Sequence, residues 1–248
     1  AALTPIVRHL RTPPRGVVFN MNTLLRECRS EVILYVDDDI IPTSTLVSAH
    51  LKNYSERNAV AVAGRVEQPS GDLPAKSIIE VGQFRRWTGK MIFRFNGFVR
   101  QPCVFAQGAN MSFLREALLS VQGFDEGFIG NGYFFESEGT LRVANAFPGR
   151  MFFDPDASLQ HLAAPRGGAR IHDRSWHHAF YTHNAIRLFR RHCPPPIFVL
   201  LALKLFGMTL FKAAFRGSYL IAMRGTCYFF KGLTQNEKQI SDGLKQYG

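Results

Sequence analysis

Five apolar residues, Val32 to Val36, run directly into three carboxylates, Asp37, Asp38 and Asp39, and then into Ile-Ile-Pro. Short, continuous, β-branched and bounded by charge, Glu31 to Val36 predicts a buried strand. Adjacent carboxylates repel one another, so a chain that keeps them at a strand end needs something positive to offset that cost. Pro42, Thr43 and Ser44 then read as a helix start, with Leu46, Val47, Leu51 and Tyr54 continuing one face. The aspartates thus fall in a turn between the carboxyl end of a strand and a helix, where open α/β sheets bind ligands.

Other segments extend the α/β pattern. Val17, Met21, Leu24, Leu25 and Cys28 predict a helix over residues 17–30, Asn58 to Val66 a second strand, and Pro69 to Pro74 a turn-rich connection. Arg115 to Leu119 starts a helix that ends at Gly123, and Glu136 and Glu138 open another that continues through Ala146. From about Pro194 the composition changes. Ile197 to Phe211 is apolar apart from Lys204, and basic residues recur at Lys212, Arg216, Arg224 and Lys231. A spanning helix needs on the order of 20 apolar residues, and Lys204 divides this stretch sooner. An interfacial helix or helical hairpin fits better than a clean span, with a buried helical subdomain as the alternative.

At 248 residues and 46% hydrophobic, the chain can build one large domain, or a domain with an appendage. Its net charge of +11 points to an acidic partner: nucleic acid, anionic lipid or a phosphorylated substrate. Rings and cations interleave from Gly82 to Arg100, as on a nucleic-acid surface or the cationic edge of a cleft, but no nucleic-acid module is recognisable. Nucleic acid is therefore not an expected partner. Cys28, Cys103, Cys193 and Cys227 have neither zinc-site spacing nor the density of a disulfide scaffold, which suggests a reducing compartment. His172, His177, His178, His183 and His192 show no HExxH pattern and are not read as a metal site. Residues 1 to 15 have no apolar core, so no signal peptide is expected, and the absence of an initiating Met suggests that Ala1 is not the natural start.

Asp37 and Asp39 project to one side of an extended chain and can together hold a hard divalent ion such as Mg2+ or Mn2+. The alternative is an exposed acidic turn that satisfies N–H groups at a helix start. A phosphorylated-aspartate phosphatase would want a hydroxyl or valine where Ile41 stands. Gly108 allows close backbone approach, Asn110 can hydrogen-bond a polar ligand, and Glu136 or Glu138 can serve as a cleft base or a helix cap. Trp87 can stack on a sugar or enter the core.

The order of these motifs resembles the GT-A-fold inverting glycosyltransferases of family two, over about Arg15 to His161. "RGVVFNMN" is similar to the family's segment ending in Arg-Asn, which places Asn22 at the family's Asn. "YVDDDIIP" resembles the nucleotide-sugar DXD turn, with Asp37 and Asp39 at its two aspartates. "QGANMSFLREALLSVQGFDE" resembles the acceptor-side stretch, with Gln122 in place of the first glycine of a Gly-Gly pair and Asp125 at the family's Asp. "FESEGTLRVANA" aligned on Arg142 puts Glu136 at the general base and Glu138 at a second acid, and "FFDPDASLQHL" puts His161 at the family's histidine.

The resemblance implies a Rossmann-like mixed sheet flanked by helices: a partial GT-A domain over residues 1–165, followed by a basic, apolar helical region over 166–248 that associates with a membrane. Only 36 residues precede Asp37, so the fold is expected to lack its first strands and part of its nucleotide pocket. The implied activity is metal-dependent transfer from a nucleotide-diphospho-sugar to a glycan or lipid-linked hydroxyl. Asp37, Asp39 and His161 would hold Mg2+ or Mn2+, Glu136 and Glu138 would be catalytic, and Asn22, Asp37, Asp38, Trp87, Gly108, Asn110, Asp125 and Arg142 would bind substrate. A cytoplasmic site at the inner face of an anionic membrane follows from the C-terminal composition. The competing expectation is an inactive remnant or a basic membrane-binding module.

Overall fold

The computed structural model describes residues 8–69, 80–164 and 171–235. Its centre is a six-stranded mixed sheet in the order β1-β7-β3-β8-β2, with β6 also pairing β8. These strands are β1 (Val32–Val36), β2 (Ile40–Pro42), β3 (Ala61–Glu67), β6 (Gln101–Pro102), β7 (Asn110–Leu114) and β8 (Met151–His161). β7 runs antiparallel to both β1 and β3, whereas β3 and β8 are parallel. Three strands therefore point the same way, and Val36, Glu67 and His161 all finish at one edge of the sheet. A small hairpin, β4 (Gln83–Arg85) with β5 (Lys90–Ile92), stands apart. The mixed sheet between helices agrees with the expected fold class.

Helix α1 (Val17–Glu27) precedes β1, and α2 (Leu46–Arg57) follows β2. α3 (Arg115–Ser120) and α4 (Phe135–Ala146) follow β7, and α5 (Arg174–His192), α6 (Pro195–Phe215) and α7 (Tyr219–Thr234) close the described chain. Asn58, in the left-handed conformation, ends α2, and the Asp173 side chain caps α5 by accepting from the N–H groups of Ser175 and Trp176. Pro195 opens α6, where its missing N–H costs nothing.

Several boundaries differ from expectation. α1 stops at Glu27, and β3 begins at Ala61 because Asn58 turns the chain out of α2. Pro42 does not start a helix. Ile40 to Pro42 instead form β2 against Leu159 to His161, and α2 begins only at Leu46. β1 is not buried on both faces: it is an edge strand of the described sheet and alternates, with Ile33 and Tyr35 inward. Lys204 does not divide the C-terminal apolar stretch, since it lies exposed within a continuous 21-residue α6. That helix is long and apolar enough to cross a membrane by length and composition. Most of the Pro69 to Pro74 turn, and the boundary at 165/166, lie outside the described residues.

One core joins these layers. Edge-to-face rings of Tyr35, Phe113, Phe124 and Phe135 tie β1 and β7 to α4, with centroids 5.3 to 6.1 Å apart. Ala185, Ile186 and Leu188 of α5 enter the same core. In the aromatic and basic segment, Phe95 is buried and Phe84 packs against the core, so the rings do not form one outward stacking surface.

Gln122 has φ 65°, a left-handed conformation beside Gly123, which has the same φ. A side chain there is strained where glycine would not be. Gln122→Gly is therefore expected to raise stability by about 0.5–1 kcal/mol, read as a higher denaturation midpoint at unchanged slope.

Candidate active site

The carboxyl edge of the sheet assembles the site. Ile40 pairs with His161 across β2 and β8, which brings the histidine beside the aspartate turn that precedes β2. His161 Nε2 lies 3.1 Å from Asp39 Oδ1 and 3.4 Å from Asp37 Oδ2. One ligand atom from each of the three residues falls within 4.8 Å of the others, a spacing able to hold a metal ion. Asp39 is oriented from behind: its Oδ2 accepts from the Ala164 N–H at 2.8 Å, and its backbone carbonyl from Leu162 at 2.8 Å. His161 Nδ1 lies 3.2 Å from Gln68 Oε1. A proton donated there leaves Nε2 as the free ligand nitrogen, the arrangement that outer partners impose on metal-binding imidazoles. Gln68 had no signal in the local sequence, because only the β3–β8 pairing places it beside His161.

Glu136 reaches the same edge by another route. Val36 pairs with Asn110, so Gly108, two residues before, sits next to the aspartate turn. A Cβ on Gly108 would lie 3.8 Å from Glu136 Cγ and 3.9 Å from its Oε1. The turn into α4 is tightly shaped, with φ of 68° at Gly130, 71° at Gly132 and 71° at Phe134. A bulky residue at positive φ is rare and persists only where its surroundings hold it. Phe134 packs against Tyr181 of α5 and Tyr133 at 5.3 and 5.4 Å. Burial raises the Glu136 pKa to about 7, its own backbone N–H opposes the rise, and the Asp37 charge adds to it.

Glu138, expected as a second catalytic acid, sits inside an ion cluster. It is fully buried, accepts from Arg142 Nε at 2.9 Å and from Arg191 Nη1, and meets His192 Nε2 at 3.4 Å. Burial alone would push its pKa up, but the His192 hydrogen bond and the charges of Arg142 and Arg191 reverse that and hold it at about 2. A carboxylate so paired is a poor base. Arg142, expected at the substrate, uses its other nitrogens on the Val121 and Gly123 carbonyls. Asp125 pairs with Arg187 at 2.6 Å and Arg191 at 3.2 Å. Together these residues lock α4 and the 121–127 turn onto α5.

Asn22 and Asn110 are likewise committed to the interior. Asn22 accepts from the Phe124 N–H and donates to the Phe124 carbonyl at 2.9 and 2.8 Å. The β3–β8 register slips between Gly64 and Arg65, and Asn110 Nδ2 donates to the Arg65 and Ala157 carbonyls beside that bulge. Its Oδ1 meets His50 Nε2 at 2.8 Å. Trp87 is 65% exposed, with Arg86 over its ring, on a hairpin turn where Gly89 packs against Leu201 of α6. Asp38 is exposed between the two clustered aspartates. The edge thus gathers Asp37, Asp39, His161, Gly108 and Glu136, whereas Asn22, Asn110, Asp125, Glu138 and Arg142 support it from within.

Comparison with known proteins places this architecture. Residues 1–121 match the model of glycosyl transferase family 2. No curated protein sequence matches the chain. Among solved structures, GalNAc-T7, determined with UDP, GalNAc and Mn2+, is similar over 71% of this chain and 34% of its own at 11% identity, with a TM-score of 0.53. The mannosyltransferase PcManGT of Pyrobaculum calidifontis, in complex with GDP-Man and Mn2+, aligns over 95% of this chain and 59% of its own at 16% identity and a TM-score of 0.49. S. aureus TarS aligns over 87% and 72% at 12% identity and a TM-score of 0.46. The chain therefore spans about a third of the length of GalNAc-T7.

Proposed function

We propose, because residues 1–121 match the model of glycosyl transferase family 2, that the chain moves a sugar from a nucleotide-diphospho-sugar to a hydroxyl of a glycan or lipid-linked acceptor, with inversion at the anomeric carbon. The observation that carries this is the meeting of Glu136, its pKa raised to about 7, with the Asp37, Asp39 and His161 ligand set at one sheet edge. GalNAc-T7 was determined with UDP, GalNAc and Mn2+, a nucleoside diphosphate, a sugar and an ion of the classes proposed for this chain.

Two carboxylates and one imidazole are a donor set that suits Mg2+ or Mn2+. Bound there, such an ion would neutralise charge on the departing diphosphate as a Lewis acid. Gln68 and the Ala164 N–H hold two of the three ligands in orientation. Glu136 takes the proton from the acceptor hydroxyl, a role suited to a carboxylate whose pKa lies near neutrality. Gly108 leaves open the space in front of that carboxyl, where any side chain would stand. One displacement needs no enzyme nucleophile, and the fully ion-paired Glu138 supplies none.

We place the site on the cytoplasmic side of a membrane held by the C-terminal helices. The exposed apolar residues of α6 and α7 and their basic neighbours support this.

The test is release of nucleoside diphosphate from UDP- and GDP-sugars with Mn2+, with the product anomer assigned by NMR. Asp39→Ala is expected to lower release by about a hundredfold or more, and an α-linked donor to give a β product. Equal release before and after the substitution would remove the metal assignment, and a retained anomer would remove inversion. No release by the unaltered chain would favour the inactive remnant.

A further inference from the structure

A cavity of about 410 Å3 opens where the start of α5 meets the end of α6 and the start of α7. Arg174, His177 and His178 line it from α5, Lys212 from α6, and Arg216 from the turn beyond; among the described residues no carboxylate lines it. The neighbouring acid, Asp173, is spent on the Ser175 and Trp176 N–H groups and on Arg224. Positive charge in the cavity is thus not cancelled locally. Burial first, and then the charges of Lys212, His177 and Arg216, together lower the His178 pKa to about 4, as expected inside a cluster of like charge.

What surrounds the cavity narrows the ligand. Lys212 and Arg216 are four residues apart, and so are Phe211 and Phe215, which face outward at 69% and 81% exposure with rings stacked at 6.0 Å. Tyr219 is 75% exposed and Leu220 43% exposed at the start of α7. Ile221 forms an apolar part of the cavity wall. A cationic socket bordered by an exposed apolar ledge complements a molecule with an anionic head and hydrocarbon chains. A soluble phosphate would use the socket and leave the ledge in water.

We propose that this cavity binds the phosphate group of an anionic membrane phospholipid, whose chains lie along the exposed faces of α6 and α7. It shares no residue with the carboxylate site. The inference rests on the membrane part of the preceding function, and lipid binding is read independently of sugar transfer.

Calorimetric titration of the full chain in neutral detergent with dihexanoyl phosphatidic acid, dihexanoyl phosphatidylcholine and inorganic phosphate tests it. Saturable binding of phosphatidic acid is expected, weakened by added inorganic phosphate and reduced about tenfold or more in Lys212→Gln/Arg216→Gln, as loss of two charge-assisted contacts implies. Lys231→Gln, which removes one charge from α7 outside the cavity lining, should leave the affinity within about twofold, because separated surface charges are screened. An equal loss in Lys231→Gln would show diffuse attraction and overturn the site. Inorganic phosphate binding as tightly as the lipid would overturn the lipid assignment, and so would phosphatidylcholine binding as tightly as phosphatidic acid.

Discussion

Glu136→Gln is expected to lower sugar transfer by about 10²- to 10⁴-fold, the range attributed to a positioned general base, with Mn2+ affinity unchanged. The amide keeps the shape of the side chain but cannot take a proton. Stability should not fall. A carboxyl whose folded pKa is raised from 4.5 to about 7 is disfavoured in its ionised form, so it weakens the fold increasingly above pH 4.5 and fully above about 7. The neutral variant escapes that cost at pH 8, where its melting temperature should equal or exceed that of the unaltered chain. The same shift predicts an acid limb: transfer falls as pH drops through about 7, and a divalent cation beside Asp37 moves the limb lower by cancelling part of the rise. A variant with more than a tenth of the original rate would remove Glu136 from the chemistry.

Glu138→Ala, two residues away, should act on the fold instead. Arg142, Arg191 and His192 would keep their buried charges or donors with no acid between them. Breaking one side of a buried ion cluster costs about 3–5 kcal/mol, a large share of the roughly 5–15 kcal/mol that holds a typical domain. The denaturation midpoint should fall sharply, and activity should fall with the folded fraction. The pH dependence is opposite in sign to that of Glu136. A carboxylate held at about 2 rather than 4.5 contributes stability that is complete above pH 4.5 and is lost as pH falls toward 2. Glu138→Ala should therefore lose most of its disadvantage near pH 2. A melting temperature within a degree of the original at pH 7 would contradict the structural role of the cluster.

The contrast between these two acids shows what the sequence discloses and what it hides. The strand before Asp37 and the turn that follows it were legible, because each lies in a local pattern of apolar run, turn and charge, whereas Glu136 and His161 stood out only through the family resemblance of the motifs that carry them. That His161 would touch Asp39 depended on β2, which was missed: Pro42 with Thr43 and Ser44 imitates a helix start, yet Ile40 to Pro42 find a pairing partner nearly 120 residues away. The roles of Glu138, Asp125 and Arg142 were hidden for the same reason. Arg187, which pairs with Asp125, and Arg191, which reaches both Asp125 and Glu138, lie on α5, and nothing in "FESEGTLR" announces that an arginine some fifty residues downstream will meet its second acid. Asn110 looked like a ligand residue because an isolated amide always does, but the slip between β3 and β8 leaves carbonyls that it serves. Lys204 reads as a break in the apolar run, yet α6 continues through it and carries both Lys204, on its exposed side, and Lys212.

The most direct test of the central claim is Mn2+ binding followed by electron paramagnetic resonance in the unaltered chain and in Asp37→Ala, Asp39→Ala and His161→Ala. One saturable site that tightens with nucleoside diphosphate, and that each substitution weakens by about tenfold or more, is the predicted result. A site whose affinity is unchanged in both Asp37→Ala and Asp39→Ala, or no saturable binding in the unaltered chain, would contradict the account.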